Sequence, residues 1–208
     1  KDKNGSPYGK NTGYDDAAIS ARVGYKFAGE HHVSVGLQHW KTWDMGSPNA
    51  FYSPDYDDKM DKERTSFDIG YKGIVDIQYY LNKDKGTWHT IGGAYPETST
   101  TTRDSQGVNL QKVIPLDDHR IIIGGQWDRK EVKSWRSAGA PYYPLSEFDT
   151  YGVFSEGRLS LFNKKLLLSA GVRYDYFENE IFATPGMTSL KPRKENLDHL
   201  TMRGGRYI

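Results

Sequence analysis

Cysteine is absent from the 208 residues, which excludes a disulfide framework and a thiolate metal site. An excess of one charge is also lacking, because Lys and Arg total 28 against 27 for Asp and Glu, a net charge of +1. Such a chain has no field that recruits nucleic acid, so we predict no nucleic-acid partner. It carries no G-x-S-x-G, no Gly-rich phosphate loop and no H-E-x-x-H, and nothing in it indicates an enzyme.

Long apolar runs are missing as well. None approaches the ~18 residues of a membrane-spanning helix, and only 36% of the residues are hydrophobic. Aromatic residues nevertheless reach 13%, which is too many for a disordered chain. The first residue is Lys1 and no signal peptide follows it, so we expect a processed or excised piece of a longer protein.

The apolar residues that are present alternate with polar or small ones. In the stretch RLSLFNKKLLLSAGVRYDYFE, residues 158–178, Leu168, Val172 and Tyr174 share one face, whereas Arg173 and Asp175 share the other. The same period of two predicts eight strands and the start of a ninth. The predicted strands are 17–27, 31–40, 63–72, 74–82, 99–114, 119–131, 149–162, 165–178 and 199–208.

The connections between these strands alternate in length. Short turns are predicted at 28–30, 73, 115–118 and 163–165, and long loops at 41–62, 83–98, 132–148 and 179–198. Short turns on one side and long loops on the other, with ~9–11 alternating residues per strand, are typical of outer-membrane barrels. We therefore predict an all-β antiparallel transmembrane barrel, with Tyr25, Tyr174 and Tyr176 in an interfacial aromatic girdle. A soluble antiparallel sandwich with one wet face is the alternative.

Two stretches carry a resemblance to a known family. Gly171-Val172-Arg173-Tyr174-Asp175 within 149–178, and the pair 107–131 with Asp118-His119-Arg120, resemble strand pairs of TonB-dependent outer-membrane receptors. The final segment HLTMRGGRYI resembles the next strand, with Met202 where a proline is common. The resemblance covers most of the chain.

The resemblance implies a larger parent protein. Such receptors have ~22 strands around a plugged lumen, so residues 1–208 are expected to form part of one barrel domain, with the plug and the remaining strands absent. It implies import of a ferric siderophore, haem, cobalamin or another metal chelate across the outer membrane of a two-membrane bacterium, with TonB-supplied energy. The partners that the resemblance implies are outer-membrane lipid, TonB, the plug domain and the small-molecule chelate. We predict no cofactor and no metal site. A small self-contained barrel, as an adhesin or porin, and a carbohydrate-binding soluble sandwich remain open.

The candidate site residues are aromatic and basic side chains of two long loops. Aromatic rings offer flat area for a chelate or a macrocycle, and a guanidinium pairs with an anionic chelate. The candidates are Trp43, Phe51, Tyr52 and Tyr56 in loop 41–62, and Trp135, Arg136, Tyr142 and Tyr143 in loop 132–148. Arg173 and Asp175 are predicted to face the lumen, as a charge pair in the wall or as contacts to the plug.

Overall fold

The strands of the chain form one meandering antiparallel sheet. The computed structural model describes residues 13–27, 29–46, 58–91, 97–163, 165–187 and 191–207. The nine strands in the described ranges are β1 (Asp15–Phe27), β2 (His31–Gly46), β3 (Lys59–Lys72), β4 (Asp76–Thr90), β5 (Glu97–Leu116), β6 (His119–Arg136), β7 (Ser146–Leu161), β8 (Leu166–Ile181) and β9 (Arg193–Tyr207).

Each strand pairs only with its sequence neighbours, so the order across the sheet is that of the chain. β1 and β9 each keep one edge unpaired within the described residues. The sheet is curved, because Arg22 of β1 and Arg173 of β8 line the same hollow despite lying near opposite edges. No helix in the ranges given above has the length and apolarity to cross a membrane.

The strands are longer than the sequence pattern predicted, at 13 to 20 residues. The predicted long loops are correspondingly too long, because the flanking strands continue into them and leave the intervals 47–58, 91–96, 137–145 and 182–192 between successive described strands. The alternation of apolar and polar residues stops before the hydrogen-bonded pairing of the strands does. The strand ends continue with Thr residues and with oppositely charged pairs, which stabilise strand pairing in water. Short and long connections still alternate, as predicted, with the short ones at 28–30, 73–75, 117–118 and 162–165.

One face of the sheet is apolar and exposed. The registers place on this face Ile19, Val23, Val35, Leu37, Ile69, Ile77, Leu110, Ile123, Val153, Val172, Leu200 and Met202. All of these side chains are at least 40% exposed, and the described part of the chain has no buried hydrophobic residue. A water-soluble sheet hides such a face in a core, so this face requires an apolar surrounding.

Aromatic side chains border the apolar face at both ends of the strands. Trp127, Tyr151 and Tyr176 are direct register partners on β6, β7 and β8, and the two tyrosine rings lie 6.2 Å apart. Beyond this row, towards the long connections, the same face carries ion pairs: Arg129–Glu147, Lys133–Glu131 and Lys194–Glu178.

At the short-turn end the aromatic border is a stack. Tyr25 stacks on Phe27, Phe27 on His31, and His31 on Tyr71, with ring centroids 5.6 to 6.2 Å apart. His31 Nδ1 and the Tyr71 hydroxyl are 2.7 Å apart. The face therefore has an apolar band between two aromatic borders, which is the pattern of a lipid-facing barrel wall.

Candidate functional site

The concave face opposite the apolar band is polar, and side chains on it bridge across glycines. Arg22, Gly36 and Asp68 are register partners on three consecutive strands. Arg22 Nη2 reaches over Gly36 to Asp68 Oδ1 at 2.7 Å. A Cβ on Gly36 would lie 2.4 Å from that carboxylate oxygen, so the glycine leaves the space through which the ion pair passes.

The same arrangement recurs at Gly107. Tyr80, Gly107 and Asp128 are register partners, and the Tyr80 hydroxyl donates to the Asp128 carboxylate across the glycine. Asp128 is only 7% exposed and also accepts from the Gln126 amide. The buried carboxylate is therefore held by two donors from two different strands, which offsets the cost of its burial.

A third bridge crosses Gly152 and contains the two predicted wall residues. Arg173 pairs with Asp175 at 2.7 Å, and its Nη2 also donates to Gln126 Oε1 at 3.1 Å across Gly152. Asp175 is 7% exposed, and the Arg173 guanidinium lies 5.9 Å from the Phe154 ring. Arg173 and Asp175 thus tie β8 to β6. Their contact with a plug stays a prediction.

A hollow of about 590 Å³ lies on this face. Its lining includes Arg22, Asp68, Asn109, Gln126 and Arg173. Charged and amide groups from six strands converge there, so the hollow is suited to water and polar surfaces rather than to lipid.

A second cluster forms where β5 and β6 leave the sheet. Arg136 Nη2 lies 2.5 Å and Nε 3.2 Å from Glu97 Oε2, and Arg136 Nη1 donates to the Ala140 carbonyl at 3.1 Å. The Arg136 guanidinium stacks 4.2 Å from the Tyr142 ring, and the Tyr142 hydroxyl donates to the other Glu97 oxygen. The cluster folds the 137–145 connection back onto the start of β5.

This cluster shifts the ionisation of its members. Hydrogen bonds from Arg136, and then from Tyr142, hold the pKa of Glu97 below its usual range. The hydrogen bond between Arg136 and Glu97 also raises the pKa of Arg136. The hydrogen bond between Tyr142 and Glu97 raises the pKa of Tyr142. Because the pKa of Glu97 is lowered in the fold, the cluster contributes fully to stability at pH values above the ordinary glutamate pKa. That contribution is lost as the pH falls through the lowered pKa of Glu97.

We therefore expect acid to loosen the 137–145 connection. Between about pH 7 and about pH 3 its hydrogen-exchange protection factor should fall in the wild type. Glu97→Gln should give low protection at both pH values, because the neutral amide holds the guanidinium weakly. Glu195→Gln is the matched control, since Glu195 pairs with Arg193 at 3.6 Å with both side chains 59% exposed. Equal pH dependence in wild type and Glu97→Gln would contradict the assignment.

The other candidate residues lie apart from this cluster. Trp43 and Trp135 are strand residues of β2 and β6 rather than loop residues, and so is Arg136, because the ladder continues beyond the apolar band. Trp43, 5.2 Å from Lys41 Nζ, and Trp135, 57% exposed, share the outward face of their strands. Tyr143 is exposed in the 137–145 connection. Phe51, Tyr52 and Tyr56 lie outside the described residues.

Sequence reasoning missed the partners of the candidates. Glu97, Tyr80 and Asp128 were not singled out, because each lies 20 or more residues from its partner and only the strand register brings them together. The sequence does mark Gly107 and Gly152. Each of these glycines occupies a position of its strand where the alternation predicts a polar side chain. Among the described residues, no group of three or more His, Asp or Glu side chains is arranged to hold a metal ion.

The fold and these sites agree with comparisons to known proteins. The chain belongs to the TonB dependent receptor-like β-barrel family, which matches residues 2–205. Members of this family are outer-membrane proteins of Gram-negative bacteria. The apolar band, the aromatic borders and the polar concave face are thus parts of a barrel wall.

Individual relatives are longer than this chain. A heme/hemopexin utilization protein C of Haemophilus influenzae is 29% identical over 134 residues, which are 60% of this chain and 17% of that protein. Among solved structures, a copper transporter, OprC, gives a TM-score of 0.72 at 15% identity, covering 92% of this chain and 35% of that one. The alcaligin outer-membrane receptor FauA of Bordetella pertussis gives 0.68 at 12% identity, covering 93% and 32%. These structural likenesses show the fold alone.

Proposed function

We propose that the full-length protein is an outer-membrane receptor that binds a scarce metal-bearing ligand outside the cell and imports it with energy supplied by TonB. Residues 1–208 supply part of the barrel wall and the bases of several extracellular loops. The plug and the remaining strands belong to the rest of the polypeptide. No chemistry is done on the ligand, and the metal is cargo rather than a cofactor.

The proposal depends on one observation: in a chain of this family, one face of the sheet is apolar and exposed and the opposite face is polar. An exposed apolar band bordered by aromatic residues needs lipid, and the opposite face, with its bridged charges, needs water. A self-contained adhesin or porin would close its own sheet, whereas β1 and β9 do not pair here. A soluble carbohydrate-binding sandwich would need a second layer over the apolar band.

The proposed ligand is an iron compound. A ferric siderophore is the first candidate, because the strand pairs at 107–131 and 149–178 resemble those of a family whose commonest cargo is a ferric siderophore. Haem is the second candidate, and the specific observation in its favour is the 29% identity with a heme/hemopexin utilization protein. Haem and catechol-bearing siderophores present flat conjugated groups, which suit the exposed rings of Tyr142 and Tyr143 in the 137–145 connection.

Growth on a defined iron source tests the proposal. A host that lacks its own haem and siderophore receptors should grow on iron-limited medium only when it carries the full-length protein and receives the correct iron source. Deleting TonB should abolish that growth. Growth that survives TonB deletion would contradict energy coupling, and failure with every haem and siderophore source would contradict an iron ligand.

A loop tyrosine should contribute to ligand affinity. Tyr143→Ala is expected to weaken binding of the growth-supporting ligand by roughly 5- to 30-fold, which is the usual effect of truncating an aromatic contact. Isothermal titration of the purified receptor measures it. The control is Phe162→Ala, because Phe162 is also exposed but lies in a short turn at the other end of the strands. Equal affinities for the two variants would exclude Tyr143 from the site.

A further inference from the structure

Three lysines on the lipid-facing side of the sheet lie level with the aromatic border at the long-connection end. They are Lys41 of β2 and Lys83 and Lys85 of β4, which the strand registers place on the face of the apolar band. Counted from the short-turn end, Lys41 is the eleventh residue of its strand and Lys85 the tenth, and Tyr176 is the eleventh of β8. The short turns lie together at one side of the membrane, so equal counts mean similar depth. We call Lys41, Lys83 and Lys85 the lysine patch.

The lysine patch differs from the other cations of this face. The remaining strand lysines and arginines at this end of the face have carboxylate partners, namely Lys59, Arg129, Lys133 and Lys194. Within the described part of the chain, no ion pair is formed by a lysine of the patch. Glu63 and Asp104 are register partners of patch lysines, yet neither forms an ion pair with them. The three ammonium groups are therefore available to an anion from their surroundings.

The lysines of the patch are close enough to serve one lipid headgroup. Lys41 and Lys85 flank Glu63 on the two neighbouring strands, which spaces their backbones by about 10 Å. Lys83 and Lys85 lie two residues apart on one strand, about 7 Å along it. A lysine stem packs along apolar surface and carries its ammonium group to the headgroup layer. Phosphate is the anion of that layer, and an ammonium group binds it as a point charge.

A second polar surface lies directly beyond the lysine patch on the same face. Thr102 is the register partner of Lys85, and Thr87, Thr100 and Trp135 form the next outward-facing row. The hydroxyl oxygens of Thr87 and Thr100 are 3.3 Å apart, and Trp135 is 57% exposed. Hydroxyl groups both donate and accept hydrogen bonds, and an indole ring offers flat area against which a sugar ring packs. We call Thr87, Thr100, Thr102 and Trp135 the hydroxyl–tryptophan surface.

We propose that the lysine patch and the hydroxyl–tryptophan surface together bind a phosphorylated glycolipid of the outer leaflet. The lysines bind its phosphate groups, and the surface beyond them binds its sugars. Long connections of this barrel class lie outside the cell, so this end of the wall meets the outer leaflet. The order of the two surfaces favours a glycolipid, because a phospholipid headgroup ends near the phosphate and has no sugars to reach Trp135. This binding is additional to ligand import, and it gives Trp135 a role on the outward face.

Lipid titration of the full-length protein tests the site. The delipidated receptor in detergent is titrated with purified lipopolysaccharide of truncated core, and native mass spectrometry gives the Kd. Lys83→Gln with Lys85→Gln should raise the Kd by roughly 10- to 30-fold, since each lysine near an anionic headgroup contributes about a factor of five. Lys112→Gln is the matched control, because Lys112 faces lipid near the short-turn end of β5 and has no ion pair among the described residues. Equal Kd values for the double variant and the control would overturn the proposal.

Two further probe lipids identify the bound groups. Phosphatase-treated lipopolysaccharide should bind the wild type roughly tenfold more weakly, and the double variant should weaken it no further. Phosphatidylglycerol, which has a phosphate but no sugar, should also bind weakly. Trp135→Ala should weaken binding of lipopolysaccharide about fivefold and leave binding of phosphatidylglycerol unchanged. Wild-type affinity for phosphatidylglycerol equal to that for lipopolysaccharide, or no effect of phosphatase, would overturn the proposal.

A variant with the opposite sign guards against loss of folding. Glu63→Gln removes the carboxylate between Lys41 and Lys85, so it should tighten binding of lipopolysaccharide, which a misfolded protein does not imitate. Unchanged or weaker binding would contradict the site. Growth on the iron source is measured separately and should be unaffected by Lys83→Gln with Lys85→Gln, because the patch faces away from the lumen. A failure at the lysine patch is therefore distinguishable from a failure of import.

Discussion

Leu110→Arg should prevent most of the full-length protein from reaching its folded state in the outer membrane. Leu110 lies within the apolar band and is 45% exposed, so the substituted guanidinium would enter lipid. An arginine on the lipid face of a barrel costs about 2–4 kcal/mol at the bilayer midplane and less near the interfaces. The folded fraction is measured by heat-modifiable gel migration of isolated outer membranes.

The adjacent residue provides the control for this substitution. Gln111 lies on the polar face of the same strand, is exposed and lines the lumenal hollow. Gln111→Arg places the same side chain in water, next to the carboxylate of its register partner Asp76, and should assemble like the wild type. Equal assembly of the two variants would contradict the assignment of the faces.

Gly107→Val should disrupt the wall from inside. A Cβ at this position would lie 2.6 Å from the backbone carbonyl oxygen of Trp127 and 2.6 Å from Asp128 Oδ1. The backbone oxygen cannot rotate away, so β5 and β6 must separate locally, and overpacking of this kind costs about 1–3 kcal/mol. Displacing Asp128 from the Tyr80 hydroxyl leaves a buried carboxylate short of a donor, at about a further 1–3 kcal/mol.

Urea unfolding in detergent measures the effect of Gly107→Val. Gly86→Val is the control, because nothing lies within 4 Å of a Cβ built on Gly86, and valine favours strand. We expect a clear loss of stability for Gly107→Val and a neutral or stabilising effect for Gly86→Val. Similar midpoints for the two variants would show that the bridge across Gly107 does not contribute to stability.

Much of the fold was predictable from the sequence, because the alternation records which solvent each face meets. Ile121, Ile123 and Trp127 share the lipid face of β6, as their spacing indicates. The strand ends were not predictable in the same way. From Arg129 onward both faces of β6 meet water, so no change of polarity marks where the ladder stops.

The candidate site was predictable only in part. Arg136 and Tyr142 were selected by residue type, and the structure brings them together around Glu97. Glu97 lies 39 residues from Arg136, and only the register of β5 with β6 makes them neighbours. The arginine donors are thus directed to a carboxylate of the chain itself, so the anionic chelate expected from the sequence would have to displace Glu97 to pair with Arg136.

The central claim is that the two faces of this sheet meet lipid and water respectively. Nitroxide spin labels attached to single introduced cysteines test this claim directly. These 208 residues contain no cysteine, so only cysteines elsewhere in the full-length protein need to be replaced first. Four consecutive positions of β5 suffice, from Val108 to Gln111. We predict that labels at 108 and 110 are relaxed by oxygen, and labels at 109 and 111 by a water-soluble nickel chelate. Protection of 108 and 110 from both reagents, as in the core of a soluble sandwich, would contradict the account.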